Sequence, residues 1–173
     1  MTRGKGLLAL KTKVGSDDFQ TPEWPIKTLL EHIKLPLDKV ILEPACGKGL
    51  MVATLNVCGY DVIGSDLKEG VNFITDDIIV PYDVVITNPP YSVKDAFIER
   101  CYELGKPFAL LLPLTALEGI KRQALYREHG MQLICLPRRV NYHTPSGTGS
   151  GAWFPSAWFT NGFNLPNDLT FAE

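Results

Sequence analysis

The chain has 173 residues, of which 45% are hydrophobic and 21% charged, enough apolar material for one domain that buries its core without disulfide or metal staples. No apolar run approaches the roughly 18 residues of a membrane-spanning helix, and the short stretch Leu7 to Leu10 is not followed by a signal-type cleavage segment, so neither a membrane protein nor an exported one is expected. A formal charge of −2 and a pI near 5.9 speak against gripping duplex nucleic acid through one large basic surface, without excluding a nucleic-acid enzyme.

Residues 1–16, which carry Arg3, Lys5, Lys11 and Lys13, show no sustained period and read as a basic tail. Thr21-Pro22-Glu23 supplies a capping hydroxyl, a proline for the first helical position and an acid for the first turn, ahead of Trp24, Ile26, Leu29, Leu30 and Ile33 at helical spacing. A helix over 22–33 follows. Lys39 to Glu43 then reads as a short buried strand, Ala45-Cys46-Gly47-Lys48-Gly49 as a tight turn, and Leu50 to Val57 as a helix. The next apolar pieces are Asp61 to Gly64 with Asp66 at its end, a brief Asn72 to Ile74 before Asp76-Asp77, and Asp83 to Thr87 before Asn88-Pro89-Pro90-Tyr91. Val93 to Leu104 is a helix, Phe108 to Leu112 a strand, Thr115-x-x-Glu118 a capping box opening a helix to His129, and Gln132 to Leu136 a strand. Arg138 to Tyr142 and Ala152 to Phe159 flank a glycine-rich loop and suggest a long hairpin with one antiparallel strand. Strand alternating with helix predicts an α/β sheet, largely parallel and covered on both faces, with its functional residues at the carboxyl ends of the strands.

Two glycines between a strand and a helix can simply make a turn, or can let the backbone approach a nucleoside-bearing ligand at the switch point of the sheet. Lys48 lies between the glycines and the P-loop spacing is absent. Asp66, at the end of the second strand, is placed to accept hydrogen bonds from both ribose hydroxyls. Asn88-Pro89-Pro90-Tyr91 is the most specific pattern in the chain. A rigid turn would account for it, but a chemical reading is sharper. An exocyclic amine on a ring delocalises its lone pair. Hydrogen bonds from that amine to the Asn88 side-chain oxygen and the Pro89 carbonyl would localise the pair toward a methyl donor, the prolines would hold both acceptors rigid, and Tyr91 would stack on the flat substrate.

These residues resemble the S-adenosylmethionine-dependent amino-methyltransferases, specifically the N6-adenine DNA methyltransferases with motif order X, I, II, III, IV. Ile41 to Gly49 resembles the cofactor motif, Asp66 falls at the ribose-binding acid, Asn88 to Tyr91 at the catalytic tetrapeptide, and Thr21-Pro22 at the motif contacting the methionine end of the cofactor. The resemblance covers about residues 17–160 and implies a Rossmann-like methyltransferase fold, a mostly parallel seven-stranded sheet with the last strand antiparallel; the domain is expected over 17–165, with 166–173 a C-terminal tail. It implies Thr21, Glu43, Ala45, Gly47 and Gly49 at the methionine moiety, Asp66 at ribose, and Asp77 with Ile78 around adenine, Asp76 and Asp77 being left undecided. Only residues 92–173 follow the tetrapeptide, so no separate target-recognition domain like that of larger members is expected, and relaxed specificity, or a recognition partner subunit, is expected instead. Length and glycine-rich insertion look similar to small phage or prophage members, which places the reaction in the cytosol of a bacterial or infected host cell.

Tyr142, Trp153 and Phe154 are candidate platforms for a flipped base, while the alternation through Trp158 and Phe159 marks half of these aromatics as core. Cys46, Cys58, Cys101 and Cys135 form no CxxC pair and read as reduced thiols, and His32, His129 and His143 share no ligand spacing, so no metal is expected. The basic cluster of Lys121, Arg122, Arg127, Arg138 and Arg139 reads equally as a solvated face or a binding face. Adenine in RNA, N4 of cytosine and a protein glutamine amide are rival acceptors, and a non-catalytic cofactor-fold module is the rival from another class.

Overall fold

The structure is a computed structural model that describes residues 19–144, 147–148 and 154–173. Four short apolar segments, β1 (Val40–Glu43), β2 (Asp61–Gly64), β3 (Val84–Thr87) and β4 (Phe108–Pro113), line up in parallel in the order β2-β1-β3-β4. Between them run α1 (Glu23–Ile33), α2 (Leu50–Val57) and α3 (Lys94–Leu104), and α4 (Ile120–His129) leads into β5 (Gln132–Cys135). The remaining strands are a two-stranded ribbon, β6 (His143–Thr144) and β7 (Gly147–Thr148), followed by β8 (Ser156–Asn161) and β9 (Leu169–Phe171). β8 inserts antiparallel between β4 and β5, and β9 adds to β5 in parallel, which completes a seven-stranded sheet of order β2-β1-β3-β4-β8-β5-β9.

Strand side chains alternate faces, and here both faces are apolar. On one side Ile41, Val84, Ile86, Ala109, Leu111, Ile134 and Trp158 pack with Ile26, Leu29 and Ile33 of α1 and Met51 and Leu55 of α2. On the other, Leu42, Val85, Phe108, Leu110, Leu112 and Phe159 pack with Phe97, Ile98 and Cys101 of α3, and Leu125 and Tyr126 of α4 lie against them. The sheet is therefore the middle of three layers. Trp158 crosses to α1, its Nε1 donating to the Pro25 carbonyl at 2.8 Å, which satisfies the one polar atom of a fully buried indole.

The structure corrects several expectations. Asn72 to Ile74 is not a strand but a turn in which Phe73 is 2% exposed and meets Phe97 at 5.0 Å between ring centroids, so the apolar signal marks a plug against α3. Arg138 to Tyr142 is not a strand either, although Val140 and Tyr142 alternate into the core as strand residues would. The capping box does not form. Thr115 lies in a 3-10 turn, Leu114–Leu117, and α4 begins only after Gly119, whose φ of 103° breaks the run. The antiparallel strand is not the last one, since β9 comes from residues expected to be a tail and the Leu133 N–H and Ala172 N–H continue the pairing to the Asp168 and Cys135 carbonyls.

Candidate active site

The carboxyl ends of β1, β2 and β3 meet in one place. After Glu43 the chain turns through Gly47, at φ 53°, and Gly49, at φ 80°, left-handed values that cost other residues about 1–2 kcal/mol. Gly49 caps α2, and a Cβ built on it would meet nothing within 4 Å, so its outer side faces open space. Internal hydrogen bonds hold this loop. The Cys46 N–H donates to the Ser65 carbonyl at 3.0 Å and the Gly49 N–H to the Cys46 carbonyl at 2.7 Å. The Asp66 carboxylate accepts from the Gly47 N–H at 2.9 Å and, as the cap of the turn Leu67–Glu69, from the Lys68 N–H at 2.8 Å. Asp66 thus lies beyond the end of β2 at Gly64, corrected from the strand end, and braces the glycine loop while each oxygen keeps a further lone pair.

Glu43 is 1% exposed. Its Oε1 accepts from the Ala45 N–H at 3.0 Å and from the Thr87 hydroxyl at 2.5 Å, which ties the end of β1 to the residue before Asn88. Burial pushes its carboxyl up to about 7; the bonds from Thr87 and Ala45 pull it down, and the nearby Asp66 charge raises it further. Ala45 is half-buried beside it. Asp76 is committed to its own turn, accepting from the Asn72 N–H at 2.8 Å and the Thr75 hydroxyl at 3.2 Å. Asp77 is exposed, and Ile78 is half-buried against the apolar layer of α3.

Thr21 does not cap α1. Pro22 occupies that position without a side-chain cap bond, and the Thr21 Oγ1 is buried with no hydrogen-bond partner. Its neighbours stitch the site together. The Gln20 Oε1 accepts from the Leu50 N–H at the start of α2 at 3.4 Å, and Gln20 pairs by backbone with His143. The Phe19 carbonyl accepts from the Asn88 Nδ2 at 3.4 Å. With the nitrogen so oriented, the Asn88 Oδ1 is buried and unpartnered; it and the Thr21 Oγ1 are the only such side-chain atoms among the described residues. A buried acceptor left unpaired costs about 1–3 kcal/mol. Pro89 is buried, and the Pro90 carbonyl accepts from the Val93 N–H at 3.1 Å, closing the turn Tyr91–Val93.

Tyr91 is half-buried. The Phe154 ring meets it at 5.3 Å and 71° between planes, and its hydroxyl lies 2.8 Å from that of Tyr142. Tyr142 is 4% exposed, donates to the Ser156 Oγ at 3.1 Å and takes the edge of Phe19 at 6.0 Å. It presents no open face, which corrects its assignment as a platform. Trp158 and Phe159 are fully buried, and Trp153 lies outside the described residues. In the basic cluster, Arg122 is bound to Asp95 at 2.7 Å and to the Ala116 carbonyl, and Arg138 covers the Trp24 ring at 4.8 Å. Sequence reading missed Phe19, Gln20, Thr87 and Ser156. Only Thr87 carried a signal, a hydroxyl in a buried strand directly before the tetrapeptide.

The chain matches no protein-family model and no curated protein. Among solved structures it is similar to a type I restriction-modification methyltransferase subunit from Streptococcus thermophilus, with a TM-score of 0.63 and 16% identity over 90% of this chain and 47% of the other. It is also similar to a dimethyladenosine transferase from Plasmodium falciparum, with a TM-score of 0.50 and 17% identity over 82% of this chain and 61% of the other. The chain spans about half to three-fifths of these proteins' lengths. The likeness establishes the Rossmann-like methyltransferase fold.

Proposed function

We propose that the chain transfers a methyl group from S-adenosylmethionine to the N6 amine of adenine in DNA, with relaxed sequence specificity. The observation that carries this reading is the buried, unpartnered Asn88 Oδ1 at the end of β3. The nucleophile needs an acceptor there, and the Phe19 carbonyl turns the amide so that oxygen, not nitrogen, is offered.

The residues around the glycine loop suit the donor. Asp66 keeps lone pairs for ribose hydroxyls, Gly47 and Gly49 admit close backbone approach, Ala45 and Glu43 border the methionine end, and the orphaned Thr21 Oγ1 supplies a hydrogen bond there. Asp77 and Ile78 serve the adenine end, Asp76 being used in its own turn. S-adenosylmethionine supplies a methyl group on a sulfonium whose departure as a neutral thioether needs no acid. Asn88 Oδ1 and the Pro89 carbonyl accept the two amine hydrogens and draw the nitrogen lone pair out of the ring. Asn88 aligns and takes no proton, since an amide oxygen is a very weak base; the methylated nitrogen, cationic once the sulfonium has left as thioether, releases one proton to solvent. Tyr91 and Phe154 flank the ring of a base taken out of its stack.

We also propose a cytosolic setting and a partner subunit for sequence recognition. The similar restriction-modification protein is itself named a subunit, and this chain covers 47% of it. Incubation with labelled S-adenosylmethionine and separate DNA, RNA and protein pools, followed by mass spectrometry of the modified unit, tests the reading. N6-methyladenine in DNA is expected. Methyl adenine confined to RNA, a methylated glutamine, or cofactor binding without transfer would each replace it with a specific alternative.

A further inference from the structure

Tyr91 sits on a three-residue 3-10 turn between two prolines and α3, its ring half-buried against the apolar layer of α3. A stacking platform works when it is in place before the base arrives, because ordering it afterwards costs side-chain entropy. Its phenol lies 2.8 Å from the Tyr142 hydroxyl, and Tyr142 donates to the Ser156 Oγ at 3.1 Å. That donation leaves the Tyr142 oxygen free to accept from Tyr91. Ser156 opens β8, an inner strand of the sheet, and is paired with Pro113 at the end of β4. Three hydroxyls from three separate segments therefore connect the half-buried Tyr91 to the start of an inner strand. A phenylalanine at 142 would fill the same apolar space and need no partner, so the hydroxyl is the informative atom.

We propose that Tyr142 is a positioning residue, which fixes the Tyr91 ring to β8 through a Tyr91–Tyr142–Ser156 hydroxyl chain, beside Phe154 two residues before Ser156. The Phe154 ring meets the edge of Tyr91. Burial pushes the Tyr142 phenol up, with Ser156 and Tyr91 drawing it back, so the hydroxyl stays protonated and able to donate at neutral pH. The inference rests on the reading of Tyr91 as the platform for the target base.

The test uses the full chain, with Tyr91→Phe, Tyr142→Phe, their combination, and Ser156→Ala. Steady-state methyl transfer is measured on an adenine-containing DNA duplex, S-adenosylmethionine affinity by calorimetry, and stability by urea denaturation. Each single variant should lose about 3- to 10-fold in kcat/KM toward DNA, the scale of one hydrogen bond. Cofactor affinity should be unchanged. The Tyr91→Phe/Tyr142→Phe double variant should lose no more than either single one, since both remove the same link. Losses that multiply in the double variant, wild-type kcat/KM in Tyr142→Phe, or a parallel fall in cofactor affinity would overturn the positioning role. If Tyr142→Phe does not fold, Ser156→Ala decides on the same criteria. If the wild-type chain transfers no methyl group to any polymer, the functional reading fails. The denaturation cycle then shows whether the hydroxyl link exists, and a link without transfer overturns the catalytic purpose assigned to it.

Discussion

The two halves of the site are built on opposite terms. On the glycine-loop side, the carboxylates of Glu43 and Asp66 already accept backbone or side-chain hydrogen bonds from Ala45, Thr87, Gly47 and Lys68. On the tetrapeptide side, the Asn88 Oδ1 is buried with nothing donating to it. The difference shows where the fold tolerates an unmet demand. The glycine loop satisfies its own polar groups, whereas the Asn88 acceptor, which we propose to act on an incoming amine, is held ready at a cost in stability.

The sharpest way to break this contrast is Asn88→Ala. Turnover should fall by roughly 10²-fold or more, as when other preorganised polar groups are removed. Stability should change by less than about 1 kcal/mol, because losing an orphaned acceptor offsets losing a long bond to Phe19. Denaturation and transfer assays on the same preparation check both halves of the statement. A large loss of stability would mean that Asn88 is bonded in solution.

Glu43 tests the opposite side. With its carboxyl raised from 4.5 to about 7 by burial, the folded protein disfavours the charged form. Between these values it binds more protons than the unfolded chain. The stabilising contribution is therefore full below about pH 4.5 and is lost as pH rises through 7, with a ceiling of about 3 kcal/mol. Glu43→Gln should remove this dependence and gain on the wild type above pH 7. Urea denaturation at pH 5 and pH 8 measures the difference, and equal pH profiles for the two proteins would refute the raised value.

Asp66→Ala should weaken S-adenosylmethionine binding by about 1.5–3 kcal/mol, the range for hydrogen bonds to a charged group. It should also loosen the glycine loop, since the Gly47 and Lys68 N–H groups lose their acceptor. Unchanged calorimetric affinity in a folded variant would detach the carboxylate from the cofactor. Gly49→Ala is the mildest probe, at about 1–2 kcal/mol of stability, because the strain at φ 80° is purely backbone and the added Cβ meets no neighbour. A thermal melt showing no loss would mean that this turn relaxes.

Most elements were legible because their causes are local. The apolar spacing of α1, the apolar runs of β1 to β5, and the glycines around Gly47 and Gly49 act within a few residues of themselves. Two of the failures were local signals overruled from a distance, and a third was cut short by the very next residue. Phe73 imitated a strand by plugging against Phe97, Val140 and Tyr142 imitated one by facing the core, and Thr115 and Glu118 spelled a cap that Gly119 prevented.

By itself, then, the order of residues determined most of the helices and strands from α1 to β5, the left-handed turn before α2 and the rigid tetrapeptide after β3. Those follow from side-chain periodicity and from the φ values that glycine and proline allow. Only the tertiary structure decided the insertion of β8 between β4 and β5, the pairing of Thr87 with Glu43, the turning of Asn88 by Phe19 and the burial of Tyr142 under Tyr91. These partners lie 44, 69 and 51 residues apart for the last three contacts, and a hydrogen bond across such a separation leaves no period in the sequence, because it exists only when the folded sheet brings distant segments together.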